Sequence, residues 1–303
     1  MLEGIICIDK PEDFTSFDVV AKSRGITRCR KMGHGGTLDP MATGVLPLFL
    51  GRAAKAMDIM PVQDKRYTAG FCLGMTTDTQ DSTGTVLSRS TQPVSLAQLT
   101  AVLPAFRGSI DQLPPMYSAV QLDGQRLYDL ARQGRTVDRP TREVTVHRLE
   151  LLDYDPASRT GKLDVSCSKG TFIRTILHDI GELLGCGAVM TSLRRTETLG
   201  YTLQHCVTLA ELQVLADTGM LEHRLLPIST IFASCPRLAL TPRQAVMFHN
   251  GVRLDTNRIP DAVSAGQVAV WADQLFLGTA VVDLDNAELL PQKLFYLGAL
   301  PPA

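Results

Sequence analysis

Apolar residues occur along this chain in short, well-separated runs, and the period within each run names the element it predicts. Gly4 to Asp9 (GIICID) is almost wholly apolar and ends at Lys10-Pro11, the pattern of a short buried strand. Tyr67 to Gly74 and Lys162 to Ser168 alternate apolar and polar, as half-buried strands do. From Phe172 to Leu184 the period changes. Ile173, Ile176, Leu177, Ile180, Leu183 and Leu184 fall on one helical face, and Gly185 supplies a stop. Ser16 is placed to cap a helix running through Asp18-Val19-Val20-Ala21. Helices are also predicted over Ser95–Leu103 and over Thr208–Asp217. In the second, Thr208 and Glu211 have the spacing of a capping box and Gly219 ends the run.

Between these runs three stretches read differently. Lys31 to Pro40 holds Gly33, Gly35, Gly36 and a proline, which predicts a loop followed by the apolar run Val45–Leu50. Residues 104–148 are rich in Pro, Gly and Arg and read as a partly looped excursion from the core. Beyond Ala233-Ser234-Cys235-Pro236 the chain becomes β-rich. A short helix, capped at Thr241 and stopped at Asn250-Gly251, precedes strands over Val268–Trp271, Leu275–Leu284 and Lys293–Leu297. The division is therefore a large domain, 1–232, and a compact β-rich unit, 236–303.

Composition narrows the class. With 45% hydrophobic and 20% charged residues, the 303-residue chain has an ordinary globular balance. No apolar run is long enough to span a bilayer, and Met1-Leu2-Glu3-Gly4 does not begin a secretory signal. Seven scattered cysteines without a C-x-x-C pair argue against a disulfide framework and a zinc site. A cytoplasmic protein without membrane attachment is expected. The net charge of −1 does not itself favour a nucleic-acid partner, but phosphate affinity follows local charge. Lys22, Arg24, Arg28, Arg30 and Lys31 form one basic cluster. Arg126, Arg132, Arg135, Arg139, Arg142 and Arg148 form another.

Neither a dinucleotide fingerprint nor a phosphate-binding P-loop is present, and no nucleophile elbow or H-E-x-x-H occurs, so cofactor and metal chemistry are not expected. What remains is a glycine-rich loop with His34 and Asp39, a segment Lys169-Gly170-Thr171-Phe172-Ile173-Arg174, and Lys65-Arg66-Tyr67. Alone, an aspartate before a proline is commonly a turn residue. A guanidinium beside that carboxylate would keep it ionised, as a nucleophile or general base requires.

The order and spelling of these segments identify more. Gly33-His34-Gly35-Gly36-Thr37-Leu38-Asp39-Pro40-Met41-Ala42-Thr43-Gly44-Val45-Leu46-Pro47 closely resembles the signature loop of the TruB family of tRNA pseudouridine synthases. The resemblance continues through Asp9-Lys10-Pro11, Thr15-Ser16, Lys65-Arg66-Tyr67 and Gly74 to Gly84. It then runs through Pro114 to Ala119, Arg126-Leu127-Tyr128, Ser168 to Arg174 and Leu193-Arg194-Arg195-Thr196. It implies an α+β fold, a mixed and largely antiparallel sheet with flanking helices, plus a PUA-like RNA-binding domain at the C-terminus. The implied reaction is isomerisation of uridine 55 in the T-loop of tRNA, needing no cofactor or metal.

By the same resemblance Asp39 is the catalytic carboxylate, open to either of two routes, base at C2′ or nucleophile at C1′. Arg174 pairs with it, Tyr67 packs on the flipped uracil, Leu193 lines the pocket and His34 helps hold the T-loop open. Phe172 stands where the family usually has tyrosine, so it supplies a packing ring without a hydroxyl. Residues 104–148 correspond to a thumb gripping the T-stem-loop. The implied partner is tRNA, with no obligatory protein partner and a monomeric enzyme. A tRNA-folding chaperone with little chemistry, and the catalytic subunit of a guide-RNA-dependent particle, are the alternatives.

Overall fold

The computed structural model describes residues 2–261 and 264–300, so positions 262–263 and the last three of the C-terminal region lie outside it. Ten strands form one mixed sheet. Its edge strand Cys206–Val207 is followed by β1 (Gly4–Lys10), β3 (Thr43–Leu50), Ala188–Thr198, β4 (Lys65–Leu73), Thr160–Cys167, Arg142–Asp155 and Gly108–Gln112. β2 (Met32–His34) adds to β3, and Tyr201–Thr202 adds to Ala188–Thr198. Pairing is antiparallel except where Cys206–Val207 meets β1 and where Ala188–Thr198 meets β3.

Strand alternation explains why GIICID carries so little polar character. Ile5 and Cys7 face one way, with Val45 and Phe49 of β3. Ile6 and Ile8 face the other, with Leu46, Leu48 and Leu50. Both faces of this half are covered. α1 (Ser16–Thr27) packs on one through Val19 and Val20, beside Leu212 of the helix Leu209–Asp217. The C-terminal domain packs on the other through Phe295 and Ala269. The second half of the sheet is covered by the helix Ile173–Leu183, which buries Ile173, Ile176, Leu177 and Ile180 against Phe71 and Leu163. That apolar stripe is the one its sequence period predicts. In the C-terminal region five strands form a separate sheet around Leu238, Phe248, Val270 and Leu277, with the helix Pro242–His249 capped by Thr241.

Four expectations change. The cap of α1 is Thr15, not Ser16. Thr15 Oγ1 accepts from the Asp18 amide at 3.0 Å while the Asp18 carboxylate accepts from the Thr15 amide at 2.9 Å. This reciprocal box needs the three-residue spacing of Thr15 and Asp18. Lys31 to Pro40 is not irregular throughout, because Met32–His34 pairs with Leu50–Leu48 of β3, and the irregular path begins at Gly35. Only the middle of 104–148 leaves the core. Gly108–Gln112 and Arg142–Asp155 are neighbours in the main sheet, leaving residues 113–141 as the excursion, with a short helix at Leu127–Arg132. The last strand is Glu288–Leu294 rather than Lys293–Leu297. It contains Pro291, a residue that argues against a strand in a sequence, but here Pro291 sits at a register shift opposite Ala280.

Candidate active site

Asp39 lies on the link between β2 and β3, and nearly every residue of that link is tied to something rigid. Gly35 N–H donates to Pro47 O at 2.9 Å. The Ser16 hydroxyl accepts from Leu38 N at 2.8 Å and donates to Leu38 O at 3.3 Å, so the residue that does not cap α1 clamps the position before Asp39. Ala42 N–H returns to Asp39 O at 3.0 Å. Pro40 O accepts from both Asp13 N and the Lys10 ammonium at 3.0 Å. Lys10 is fully buried at the end of β1 and also donates to the carbonyls of Pro11 and Phe14. Burial pulls its pKa down to about 8, with the Asp39 charge acting in the opposite sense.

A glycine is required where the loop re-enters the sheet. Gly44 has φ +102°, and a Cβ there would stand 2.2 Å from the backbone oxygen of Arg195 on the neighbouring strand. Gly35 lies against the ring of Phe49, where a Cβ would be 2.8 Å from the ring edge.

Five of the six residues singled out in the sequence meet here. A cavity of about 240 Å³ is lined by Asp39, Tyr67, Phe172, Arg174 and Leu193, together with Lys65 and others. Arg174 Nε lies 3.1 Å from Asp39 Oδ2. The arginine side chain is 6% exposed and the aspartate 38%, so the carboxylate faces the cavity and its cation stands behind it. Arg174 is anchored on its other edge by donating to Thr79 O and Tyr117 O, both at 2.9 Å. Tyr67 is buried on β4, and burial pushes its phenol up to about 12. Phe172 precedes the helix Ile173–Leu183, and its backbone is held at both ends by buried Gln112. Its N–H donates to Gln112 Oε1 at 2.7 Å and its carbonyl accepts from Gln112 Nε2 at 2.9 Å.

His34 does not line the cavity. It sits on β2 opposite Leu48, with a buried Nδ1 that has no hydrogen-bond partner. Burial, then the charge of Arg195, lowers its pKa.

Three contributors were not singled out in the sequence. Asp81, 5% exposed, lies 3.6 Å from Arg174 Nη1 and is itself held by Thr79 Oγ1, Thr83 N and Thr83 Oγ1. Arg174 is thus bracketed by two carboxylates, one buried and one facing the cavity. Gln112 and Ser16 are the others. Gln112 carries no signal beyond being polar next to apolar runs, and Ser16 reads in sequence as a helix cap and part of the family spelling, not as a clamp on the loop. A larger groove, about 830 Å³, lies elsewhere between α1 and Leu209–Asp217 and contains none of these residues. Among the described residues no three His, Cys, Asp or Glu side chains gather as a metal ion would need. No described helix is long and apolar enough to cross a membrane.

An aspartate presented to a small cavity, a buried arginine behind it and aromatic rings in its walls define a carboxylate-centred site on a mixed α+β sheet. Comparison with known proteins gives that class a family. Residues 24–173 match the N-terminal domain model of the TruB family pseudouridylate synthases. Residues 174–233 match the model of the tRNA pseudouridylate synthase B C-terminal domain. The chain is 42% identical over 302 residues to tRNA pseudouridine synthase B of Ectopseudomonas mendocina, covering 98% of this chain and 97% of that one. It is 40% identical over 299 residues to the enzyme of that name from Pasteurella multocida, covering 97% and 95%. Among solved structures, an H/ACA RNP bound to a substrate RNA containing 2′-deoxyuridine superposes with TM-score 0.75 at 23% identity, over 97% of this chain and 85% of that one. That likeness is one of fold. The chain belongs to the TruB family of pseudouridylate synthases.

Proposed function

We infer that this chain is a tRNA pseudouridine synthase that isomerises uridine 55 of the T-loop to pseudouridine. Its near full-length relatives above 40% identity carry that enzyme name. The observation that carries the chemistry is that Asp39 is the one acidic side chain among the residues lining the cavity, with Arg174 at 3.1 Å. Arg174 pairs with the carboxylate from behind and fixes its direction toward the cavity. Cations around the cavity attract RNA phosphates. Extracting the base costs a few kcal/mol of stacking, which packing against Tyr67 and Phe172 offsets.

Asp39 then acts on the ribose, attacking C1′ or removing the C2′ proton, and the C1′–N1 bond breaks. The uracil turns within the cavity and C5 bonds to C1′, displacing the Asp39 carboxylate from C1′ in the first route, or with Asp39 returning the proton to C2′ in the second. The C5 proton then leaves and N1 gains one. No electrons are gained or lost overall. The enclosing walls limit the water that could otherwise let a detached base escape.

In this reading the excursion at 113–141 grips the T-stem-loop, and 236–303 is a PUA-like RNA-binding domain. The enzyme works as a cytoplasmic monomer without an obligatory protein partner. The decisive experiment mixes the purified chain with unmodified tRNA carrying 5-tritiated uridine. Tritium release without any guide RNA is expected, and its absence would favour a chaperone or a particle subunit. Asp39→Asn should lower release below detection, with tRNA affinity kept within about threefold, because the lost interaction belongs to the transition state. Substantial release by Asp39→Asn at saturating tRNA would overturn the assignment.

A further inference from the structure

Two residues beyond Leu193 on the same face of its strand lies Arg195, which is completely buried. In the sheet register it stands directly opposite Tyr67 on β4 and opposite Gly44 on β3. Its guanidinium donates to three main-chain carbonyls. Nε reaches Val45 O at 2.8 Å, Nη2 reaches Gly36 O at 3.1 Å and Nη1 reaches Thr37 O at 3.4 Å. Two of these carbonyls belong to the loop that carries Asp39, and the third to the strand into which it re-enters. Among the described residues no carboxylate lies within ion-pair distance of Arg195, although Arg174 and the adjacent Arg194 each have one.

A buried cation without an anion is expensive, several kcal/mol per ion before hydrogen bonds offset it. A methionine or leucine of similar volume would fill the space with no charge to desolvate. What a neutral side chain would not supply is a planar fork that meets three carbonyls lying in different directions. Those carbonyls come from a stretch with neither helical nor sheet partners at Gly36 and Thr37. Both carbonyls accept from Arg195. The charge is also felt by the walls of the cavity. It is among the causes lowering the pKa of Lys65, after burial, and it opposes the burial-driven rise of Tyr67; outside the cavity it acts in the same sense on His34, lowering its pKa after burial.

We propose that Arg195 is a positioning residue for the reaction, whose guanidinium fixes the Asp39 loop against the Tyr67 wall. Asp39 is then located from three sides. Ser16 holds Leu38 from α1, Lys10 holds Pro40 from β1, and Arg195 holds Gly36 and Thr37 from the floor of the sheet. Arg174 sets the direction of the carboxylate, whereas Arg195 sets the height of the backbone that bears it. The proposal rests on the pseudouridine synthase reading for its chemistry, but its structural half can be tested apart from that.

The test uses the full chain with Arg195→Lys, which keeps the charge but not the fork. Three quantities are measured: tRNA affinity, single-turnover tritium release, and hydrogen exchange at the amides of Leu38 and Ala42. Affinity should stay within about threefold while release falls by about 100-fold, the loss expected when a reacting group is displaced by roughly 1 Å. Exchange should quicken at Leu38 and Ala42 and not in the C-terminal sheet. Leu238→Ala, in the core of that sheet, serves as a control that destabilises without touching the loop. Release by Arg195→Lys within about threefold of the parent, or an equal loss in Leu238→Ala at matched melting temperature, would overturn the proposal. If Arg195→Lys does not fold, Arg195→Gln carries the same measurements, and failure of both to fold would reduce Arg195 to a general fold residue and likewise overturn it. If the parent releases no tritium, the synthase reading fails, while the exchange data still decide whether Arg195 holds the loop.

Discussion

Two regions extend from the catalytic sheet, and they are attached in opposite ways. The C-terminal domain shares a core with the sheet. Phe232 lies 5.8 Å from both Phe276 and Phe295, and these rings pack with Ile5, Phe49 and Ala53 of the catalytic half. Gln267 adds a hydrogen bond to Ile59 O at 2.9 Å. The excursion at 113–141 makes polar contacts with the rest of the molecule through Tyr117, whose carbonyl accepts from Arg174 at 2.9 Å and whose hydroxyl donates to Asp78 at 3.5 Å. Arg139 donates to Pro114 O across the excursion's own base. Its helix presents exposed Arg126 and Arg132, both within 6 Å of the Tyr128 ring, at 5.8 and 5.3 Å. Apolar burial is non-directional and accumulates over area, so a region joined this way unfolds with its host. A few hydrogen bonds at a narrow base exchange readily for bonds to water or RNA. The domain that looked separable in sequence is therefore built into the fold. The segment that runs in and out of the sheet is the one able to change its contacts.

The most damaging way to test this contrast is Phe232→Ala. Opening the shared aromatic cluster should cost about 3–5 kcal/mol and lower the melting temperature of the whole chain in one transition. Two separate transitions, with the catalytic half unmoved, would break the comparison. Replacing residues 121–134 with a short Gly-Ser linker should leave the unfolding free energy of the chain within about 1 kcal/mol of the parent. The same change should weaken tRNA binding, and loss of phosphate contacts from Arg126, Arg132 or both should lower the salt dependence by about one per contact. An unchanged salt slope would remove the excursion from the RNA interface.

The smallest expected effect belongs to His34, which stands next to the shared core without lining the cavity. Its folded pKa is depressed, so the unfolded chain binds a proton that the native state does not over a window below about 6.5. The stability this represents is present above that value and is lost as pH falls through the folded pKa. His34→Gln should flatten the stability curve as pH falls below about 6.5 and leave its slope unchanged near about pH 8. An identical slope in the variant would show that other groups set it.

Local pattern alone fixed much of the architecture. The helix Ile173–Leu183 followed from its 3.6-residue stripe, and the helix Leu209–Asp217 from the Thr208–Glu211 box. The apolar run of β1 and the alternation of β4 marked strands, because period and capping act over a few residues and need no distant partner. The candidate site was legible at Asp39, Tyr67, Phe172, Arg174 and Leu193, since the family spelling surrounds each of them. Tertiary structure decided what lies between those residues. Thr15 and Ser16 are adjacent hydroxyls; the spacing to Asp18 gives the cap to Thr15, and the approach of Leu38, 22 positions from Ser16, assigns Ser16 to the loop. Gln112 is an ordinary polar residue in the sequence, and Asp81 and Arg195 stand within the family spelling without any role being legible there. Their burial, and the carbonyls, amide and guanidinium they meet, arise from strands brought together across distances that no local period encodes. The same holds for the C-terminal region, whose boundary near Pro236 is a change of composition in the chain but, in the folded molecule, a continuous aromatic core.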